Sequence, residues 1–515
     1  MKRIIQSQLR IFLQYLIQAK YVITLFLGIL LLAGCDSWLD VDPADKYSAD
    51  TFWKTEEHAS AGLSGCYRAL HPWRDSYTFE FDMITSNAMP YNEANGTHAI
   101  GKGEHMSTTA LIVSLWSNCY KGIGRTNTFL DNIANVRMDE NTKTRMTGEA
   151  KFLRAFYYSY LVNHYGGVPL ILETPNAEKH ASLPRDTKDA VLNQIIKDLT
   201  EAADVLPLSY SGSDLGRATK GAALALKARM LLYNEKWNEA AATAKSVLDL
   251  KVYDLFDDYR HMFMESHKHH VEVIFNIESS LPDFQTGYDQ AIFRLNRPAP
   301  LKELVDTYQM IDGKSIDESP LFDKEHPYEN RDPRLLYSIT CIGYPYNGKP
   351  ITQAEVVTTG FGQKKYTSYT DNTTIPLVER SAFNYILIRY AEILLTYAEA
   401  QNEANGPDNS VYNAINQVRA RAGVNMPEIP GGLTKEQMRE AIRLERRIEL
   451  ALEGLYYYDV LRWKTIEKEN NGAMHNANGV EIVIRKFNPN RDYLWPIPNN
   501  QIVQNPSLVQ NPNWD

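Results

Sequence analysis

The sequence predicts a mainly α-helical protein, built from helical hairpins with a loop-rich, partly β second lobe and helices that return after it. Three observations carry this. Apolar residues recur at helical spacing in paired segments separated by short breaks. Glycine and alanine occupy positions where two helices of a pair must approach closely. Residues 270 to 385 change character, with Gly, Pro, Asn and Tyr recurring through irregular stretches. A chain of 515 residues that is 44% hydrophobic can bury a substantial core around such a frame.

Taken in order, residues 1–34 read as a lipoprotein signal peptide. Lys2 and Arg3 open it, an apolar run extends from Tyr21 to Leu32, and Leu32-Ala33-Gly34-Cys35 forms a lipobox. A dozen apolar residues fall short of the roughly 20 that span a bilayer, so Cys35 is expected to begin the mature protein and to carry the acyl chains, palmitate among them. Residues 35–515 are expected to form a single domain, with hairpins over about 35–270 and a loop-rich lobe plus returning helices over about 271–515.

Glu149 to Tyr165 is apolar almost all round and stops at Gly166-Gly167, as a helix buried on several sides would. Lys188 to Leu206 places Val191, Ile195, Leu199 and Ala202 on one stripe and ends at Pro207. Ala218 to Tyr233 and Lys236 to Leu250 make the clearest hairpin, with Gly221, Ala225 and Ala228 facing Ala240 and Ala244. The pattern resembles a tetratricopeptide unit. Val271 to Phe275 reads as a strand. Arg389 to Ala404 and Ser410 to Ala422 repeat the hairpin across Gly406-Pro407, and Thr434 with Gln437 forms a capping box for a helix running to about Glu453.

Composition narrows function. A formal charge of -9 argues against binding phosphate backbones, so no nucleic-acid partner is expected. Once Cys35 is acylated, Cys66, Cys119 and Cys341 remain without CxxC spacing and read as buried free thiols. His267, His269 and His270 read as a solvated loop, because no spaced carboxylate or cysteine completes a metal site there. Gly101-x-Gly103 lacks the context of a phosphate loop, no GxSxG occurs, and calcium at Asp371-Asn372 is unsupported. The expectation is a protein with no catalytic residue, metal or cofactor.

Nine segments, in order along the mature chain, carry a resemblance to a known family. They are CDSWLDVDP from Cys35, TFWKTEEHASAGLSGCY from Thr51, WSNCYKGIGRTN from Trp116 and EAKFLRAFYYSYLVNHYGGVPLI from Glu149. TYQMIDGK from Thr307, NRDPRL from Asn330 and IRYAEILLTYAEAQNEANG from Ile388 follow. ERRIELALEGLYYYDVLRW from Glu445 and PIPNNQIVQNPSLVQNP from Pro496 complete the set. The sequence resembles the SusD/RagB family. That resemblance implies a compact α-rich fold with four tetratricopeptide-like hairpins, lipid-anchored on the extracellular side of an outer membrane. It implies a SusC-like TonB-dependent transporter as partner, an oligosaccharide or other nutrient as ligand, and no bond-breaking chemistry. The residues themselves read as scaffold: Arg331, Asp332 and Arg334 as a charge-paired turn, and Glu445, Arg446, Arg447 and Glu449 as interhelical ion pairs over Tyr456, Tyr457, Tyr458 and Trp463.

Sugar recognition uses aromatic planes beside polar side chains that bridge hydroxyls. Two irregular regions offer that mixture. The first holds Trp73, Arg74, Tyr77, Asn87, Tyr91, Asn92 and Asn95; the second holds Phe284, Tyr288 and Asp289, with Tyr344, Tyr346, Tyr366 and Tyr369 further on. Trp73 and Tyr288 lead, and changing either to Ala is expected to remove about 1–3 kcal/mol of binding with little loss of fold. Two other readings compete: a surface glycoside hydrolase with a carboxylate pair in a cleft, and a helical-repeat scaffold or adhesin that binds protein or peptide.

Overall fold

In this computed structural model the described residues are 5, 7–20, 52–92 and 94–514. The chain divides into two units, Met1–Lys54 and Thr55–Asp515. In the first, residues 7–20 are helical with exposed side chains. Cys35 and the apolar run before it lie outside the described residues. Among the described residues no helix is long and apolar enough to cross a membrane.

The second unit begins with α1 (Glu56–Arg68), whose first turn is capped by the Thr55 hydroxyl accepting from the His58 amide. A short α2 (Thr78–Met83) follows, and then the long helices α3 (Ala110–Ile133) and α4 (Glu140–Tyr165). The expected helix at Glu149 is the buried second half of α4, which starts earlier because Asp139 caps it through the Thr142 amide, 2.8 Å away. Gly166, at φ 73°, ends it in a conformation that glycine adopts freely. The frame continues through α5 (Lys188–Val205), α6 (Lys220–Tyr233), α7 (Trp237–Leu248), α8 (Tyr390–Asn405), α9 (Asn409–Arg419) and α10 (Lys435–Glu449). The capping box at Thr434 and Gln437 is formed, and α10 stops at Glu449, four residues before the expected end.

These helices stack one on the next: α3 on α4, α4 on α5, α5 on α6, α6 on α7, α7 on α8, with α9 and α10 both against α8. That is the geometry of stacked helical hairpins, each helix burying its apolar stripe against its neighbours. Small residues set the spacing. Ala225 and Ala228 of α6 and Ala240 and Ala244 of α7 are all fully buried, and the two helices pack on each other. Gly221 does not face α7 as expected; a Cβ there would strike the ring and hydroxyl of Tyr253, which hydrogen-bonds Thr219.

Residues 249 to 389 leave the stack between α7 and α8 and build the irregular lobe, with short two-stranded pairings in place of a continuous sheet. Strand β1 (Ala88–Met89), from the first irregular region, pairs antiparallel with β3 (Ala299–Pro300). Strand β2 (Val273–Ile277), two residues beyond its expected start, pairs with β6 (Tyr385–Arg389), while β4 (Ile339–Cys341) pairs with β5 (Phe361–Gln363). Arg389 therefore ends a strand and does not open the helix.

A buried ion network ties lobe to stack. Arg334 meets Asp332 at 2.7 Å, Glu445 at 2.5 Å and Glu449 at 2.9 Å, while Arg389 and Arg421 bridge Glu449 and Glu272 at 2.5–2.7 Å. Beside it Arg446 pairs with Asp459, and Glu399 accepts from Arg462 and from the Trp463 indole. Asp332 and Arg334 of the expected charge-paired turn thus join Glu445 and Glu449 in one buried cluster, whereas Arg331 donates to the backbone carbonyls of Val305, Pro327 and Tyr308 and Arg447 pairs apart with Glu469.

Buried imidazoles give this unit a predictable acid response. Burial pushes His164 down to about 3, and His105 and His270 to about 4. Because these folded values lie below the ordinary 6.5, the unfolded chain binds more protons between about pH 6.5 and 4, and stability is lost as pH falls through that window. Over that window His164 alone accounts for roughly 3 kcal/mol, at 1.36 kcal/mol per pH unit. Asp82, held up at about 6 by burial, works the other way with a smaller shift. The urea midpoint is expected to drop steadily from pH 6.5 to 4, and His164→Gln is expected to flatten part of that slope; an unchanged slope in the variant would refute the assignment.

Candidate ligand-binding surface

Most aromatic residues expected to touch ligand are core. Trp73, in a π-helical turn at Trp73–Tyr77, is 0% exposed and ringed by Tyr77, Phe156, Tyr157 and Tyr160 at centroid distances of 5.2–5.5 Å. Tyr77 is buried against it, its hydroxyl 2.5 Å from the Asn118 amide nitrogen. Tyr288 is buried, donates its hydroxyl to the Arg74 carbonyl and packs edge-on against Phe79 at 5.0 Å. Asp289 is buried too, accepting from the Ser368 amide and hydroxyl. Tyr346, Tyr366 and Tyr369 are equally enclosed, and Asn87 is held by Asp82 and Arg447. The expectation of ligand contact fails at these positions for one reason: the irregular segments fold inward, so each ring's apolar face is covered and most of the polar tips have an internal partner.

Asn92, Phe284 and Tyr344 do reach the surface. Asn92 is exposed beside Tyr91, which is 49% exposed. Phe284 is half-buried, with His71 at 5.3 Å and the Arg68 guanidinium 5.4 Å over its ring. Tyr344 leans on Tyr328 at 5.7 Å.

The pairing of β1 with β3 sets residues 90–92 and 94–96 beside residues 293–298. Glu80 of α2 is fully buried at this junction. Its Oε1 accepts from Asn95 Nδ2 at 2.5 Å and from Arg297 Nη2 at 3.0 Å, while Oε2 has no partner. Burial raises the Glu80 carboxyl, and Asn95 and Arg297 pull it back. Asn95 (φ 60°) and Asn296 (φ 49°) occupy the left-handed region that asparagine tolerates, turning both loops sharply. The two loops also carry Tyr91, Asn92 and Leu295, all exposed, and Arg297, which is 24% exposed. An amphipathic ring, an apolar contact and fixed donors on loops tied to a buried carboxylate suit recognition of a polyhydroxylated ligand. The sequence offered Tyr91, Asn92 and Asn95. It did not offer Glu80 and Arg297, whose only local signal was the Pro-flanked run Arg297-Pro298-Ala299-Pro300.

Other groups stay structural. Cys66, Cys119 and Cys341 are buried free thiols, as expected, and burial pushes Cys66 and Cys341 up to about 12. His267 and His270 pack on Phe256 at 5.4 and 4.5 Å and so are not a solvated loop; His269 lies 3.6 Å from Glu278.

A stacked-hairpin scaffold with an inserted lobe defines a protein of the helical-repeat class. Family comparison gives the same result from both ends of the chain. Residues 294–514 match the SusD family, and residues 37–232 match a family described as starch-binding associating with outer membrane. The chain is thus SusD-like at both ends. It is 26% identical to SusD-like protein P2 of Formosa agariphila over 96% of this chain and 99% of that one. A SusD-like carbohydrate binding protein from Bacteroides fragilis is 28% identical and superposes with a TM-score of 0.83, covering 89% of this chain and all of the other. A laminarin binding SusD-like protein matches at 25% identity and a TM-score of 0.68, over 90% of this chain and all of the other.

Proposed function

We propose that this protein captures a glycan at the cell surface on the paired loops 90–96 and 293–298 and passes it to a SusC-like TonB-dependent transporter, without cleaving it. The observation that carries the reading is the Glu80–Asn95–Arg297 anchor, which fixes two loops bearing an exposed tyrosine and polar side chains in a family with carbohydrate-binding relatives. Cys35 would hold the mature chain to the outer membrane through its acyl chains, facing outward. Multiple chains make that attachment stable, which keeps the binding surface within reach of a transporter mouth.

Calorimetry with maltoheptaose and laminarihexaose, with chromatography of the sugars afterwards, tests this directly. One oligosaccharide is expected to bind and be recovered intact. Tyr91→Ala is expected to weaken that binding about tenfold, on the order of 1–2 kcal/mol, with no change in melting temperature, since the ring is exposed. Shortened products would favour a hydrolase instead, and affinity indifferent to Tyr91 would remove the loops from the site.

A further inference from the structure

Phe284 belongs to neither of the paired loops, and its own segment is firmly held. Ser280 and Phe284 exchange backbone hydrogen bonds at 3.0 and 2.8 Å, Lys268 Nζ donates to the Ser279 carbonyl at 3.0 Å, and Arg74 Nη1 donates to the Phe284 carbonyl at 3.2 Å. The half-buried ring is thereby set against the C-terminal end of α1, with the His71 ring edge-on at 5.3 Å and the Arg68 guanidinium 5.4 Å from its centroid.

A guanidinium resting on an aromatic ring keeps its N–H groups available to an acceptor. Arg68 is exposed and pairs with no carboxylate among the described residues. Arg125 of α3, a helix packed on α1, donates from Nη1 to the Gly65 carbonyl at 2.9 Å, and it too pairs with no carboxylate among them. Gly65 and Arg68 are neighbours on one helix face, so both guanidiniums stand at the last turn of α1. His71 senses them together: burial first, then Arg74, with Arg68 and Arg125 behind it, hold the imidazole below its ordinary value against the opposing pull of Asp75. The acids nearby do not answer this charge. Asp75 is taken by Arg74 at 2.7 Å, Glu278 is occupied by Asn276, Asn384 and His269, and the exposed Asp283 pairs with neither Arg68 nor Arg125. Unspent guanidinium N–H groups beside an aromatic ring match an oxyanion carried on a sugar ring, whereas a neutral sugar would leave the charge unanswered.

We propose that Arg68, Arg125 and Phe284 form an anion subsite that gives this protein a preference for acidic glycans, those bearing uronate carboxylates or sulfate esters. The subsite presupposes that the protein captures glycans, and its test separates the two readings. The probes are tetragalacturonate and a carrageenan tetrasaccharide, with maltoheptaose and laminarihexaose as neutral controls and phosphatidylglycerol vesicles as a phosphate surface. Calorimetry follows each on the full chain at about 50 and 200 mM salt, a range over which exposed charges become screened. At least one acidic sugar is expected to bind, more tightly at low salt, and the galacturonate and sulfate arms name the anion. Arg68→Gln is expected to weaken that binding roughly fivefold or more and to flatten its salt dependence, with neutral binding and melting temperature unchanged, because the side chain is exposed. Arg137→Gln, an exposed arginine on the turn between α3 and α4, controls for lost net charge and is expected to change neither. Acidic binding that is absent, untouched by Arg68→Gln, or lowered equally by Arg137→Gln would overturn the subsite, while neutral binding that depends on Tyr91 would keep the loop surface standing. Tighter binding to the vesicles than to either acidic sugar would overturn the glycan assignment, and silence from every sugar would bring down both readings.

Discussion

Glu449→Gln is expected to cost about 3–5 kcal/mol of stability, enough to leave little folded protein. Glu449 Oε1 takes Arg389 at 2.6 Å and Arg421 at 2.7 Å, Oε2 takes Arg334 at 2.9 Å, and its backbone carbonyl takes the Tyr259 hydroxyl at 2.6 Å. Burial alone would raise the carboxyl; Arg421, Arg389 and Arg334 overcome it and hold the group well below the usual carboxylate range. Glutamine keeps the volume but replaces one acceptor oxygen by a donor facing guanidinium hydrogens, and it strips the charge that compensates buried cations. Urea denaturation checks this, and a loss under about 1 kcal/mol would mean that Glu272, Glu445 and Glu453, which meets Arg389 at 2.8 Å, suffice without it.

Trp73→Ala is expected to destabilise the protein by about 3–5 kcal/mol, the range for deleting a large buried aromatic. Four aromatic rings would face the vacated space, and three of them, Phe156, Tyr157 and Tyr160, sit on the rigid α4. Collapse is therefore limited and most of the cavity penalty stays. Measured at low temperature on the folded fraction, glycan affinity should match the unaltered protein, because the ring never meets solvent. Weakened affinity with unchanged stability would return Trp73 to the ligand surface.

Those two residues show where the sequence was readable. The helical frame was legible because apolar spacing is local: α5, α6 and α10 begin within two residues of the positions that capping threonines and apolar stripes indicate. The first turns of α4 were hidden, since ENTKTRM carries charge and hydroxyls without an apolar stripe. The ion network was half legible, as charges spaced on α10 implied partners without saying that Glu272, 177 residues earlier, was one. The site was the least legible part. Whether Tyr288 faces water or Phe79, Phe383 and Tyr385 is decided by contacts roughly 100–200 residues away in the chain, and Glu80 meets Arg297 across 217 positions. An aromatic in an irregular stretch looks the same from the sequence in either case.

The excursion of residues 249–389 leaves and rejoins the frame at helices that touch each other, α7 and α8. Closing a loop of that length costs only logarithmically more than closing a short one, roughly 0.6 kcal/mol per doubling, so the frame tolerates large changes in what hangs between those two points. The excursion behaves as a partly exchangeable cassette: its outer loops can drift in length and side chain, while Glu272, Arg334 and Arg389, which lock it to Arg421, Glu445 and Glu449 of the spine, stay fixed. The same arrangement delays assembly, because α7 cannot meet α8 until about 140 residues have been gathered in, which raises contact order and makes that junction a late step in folding.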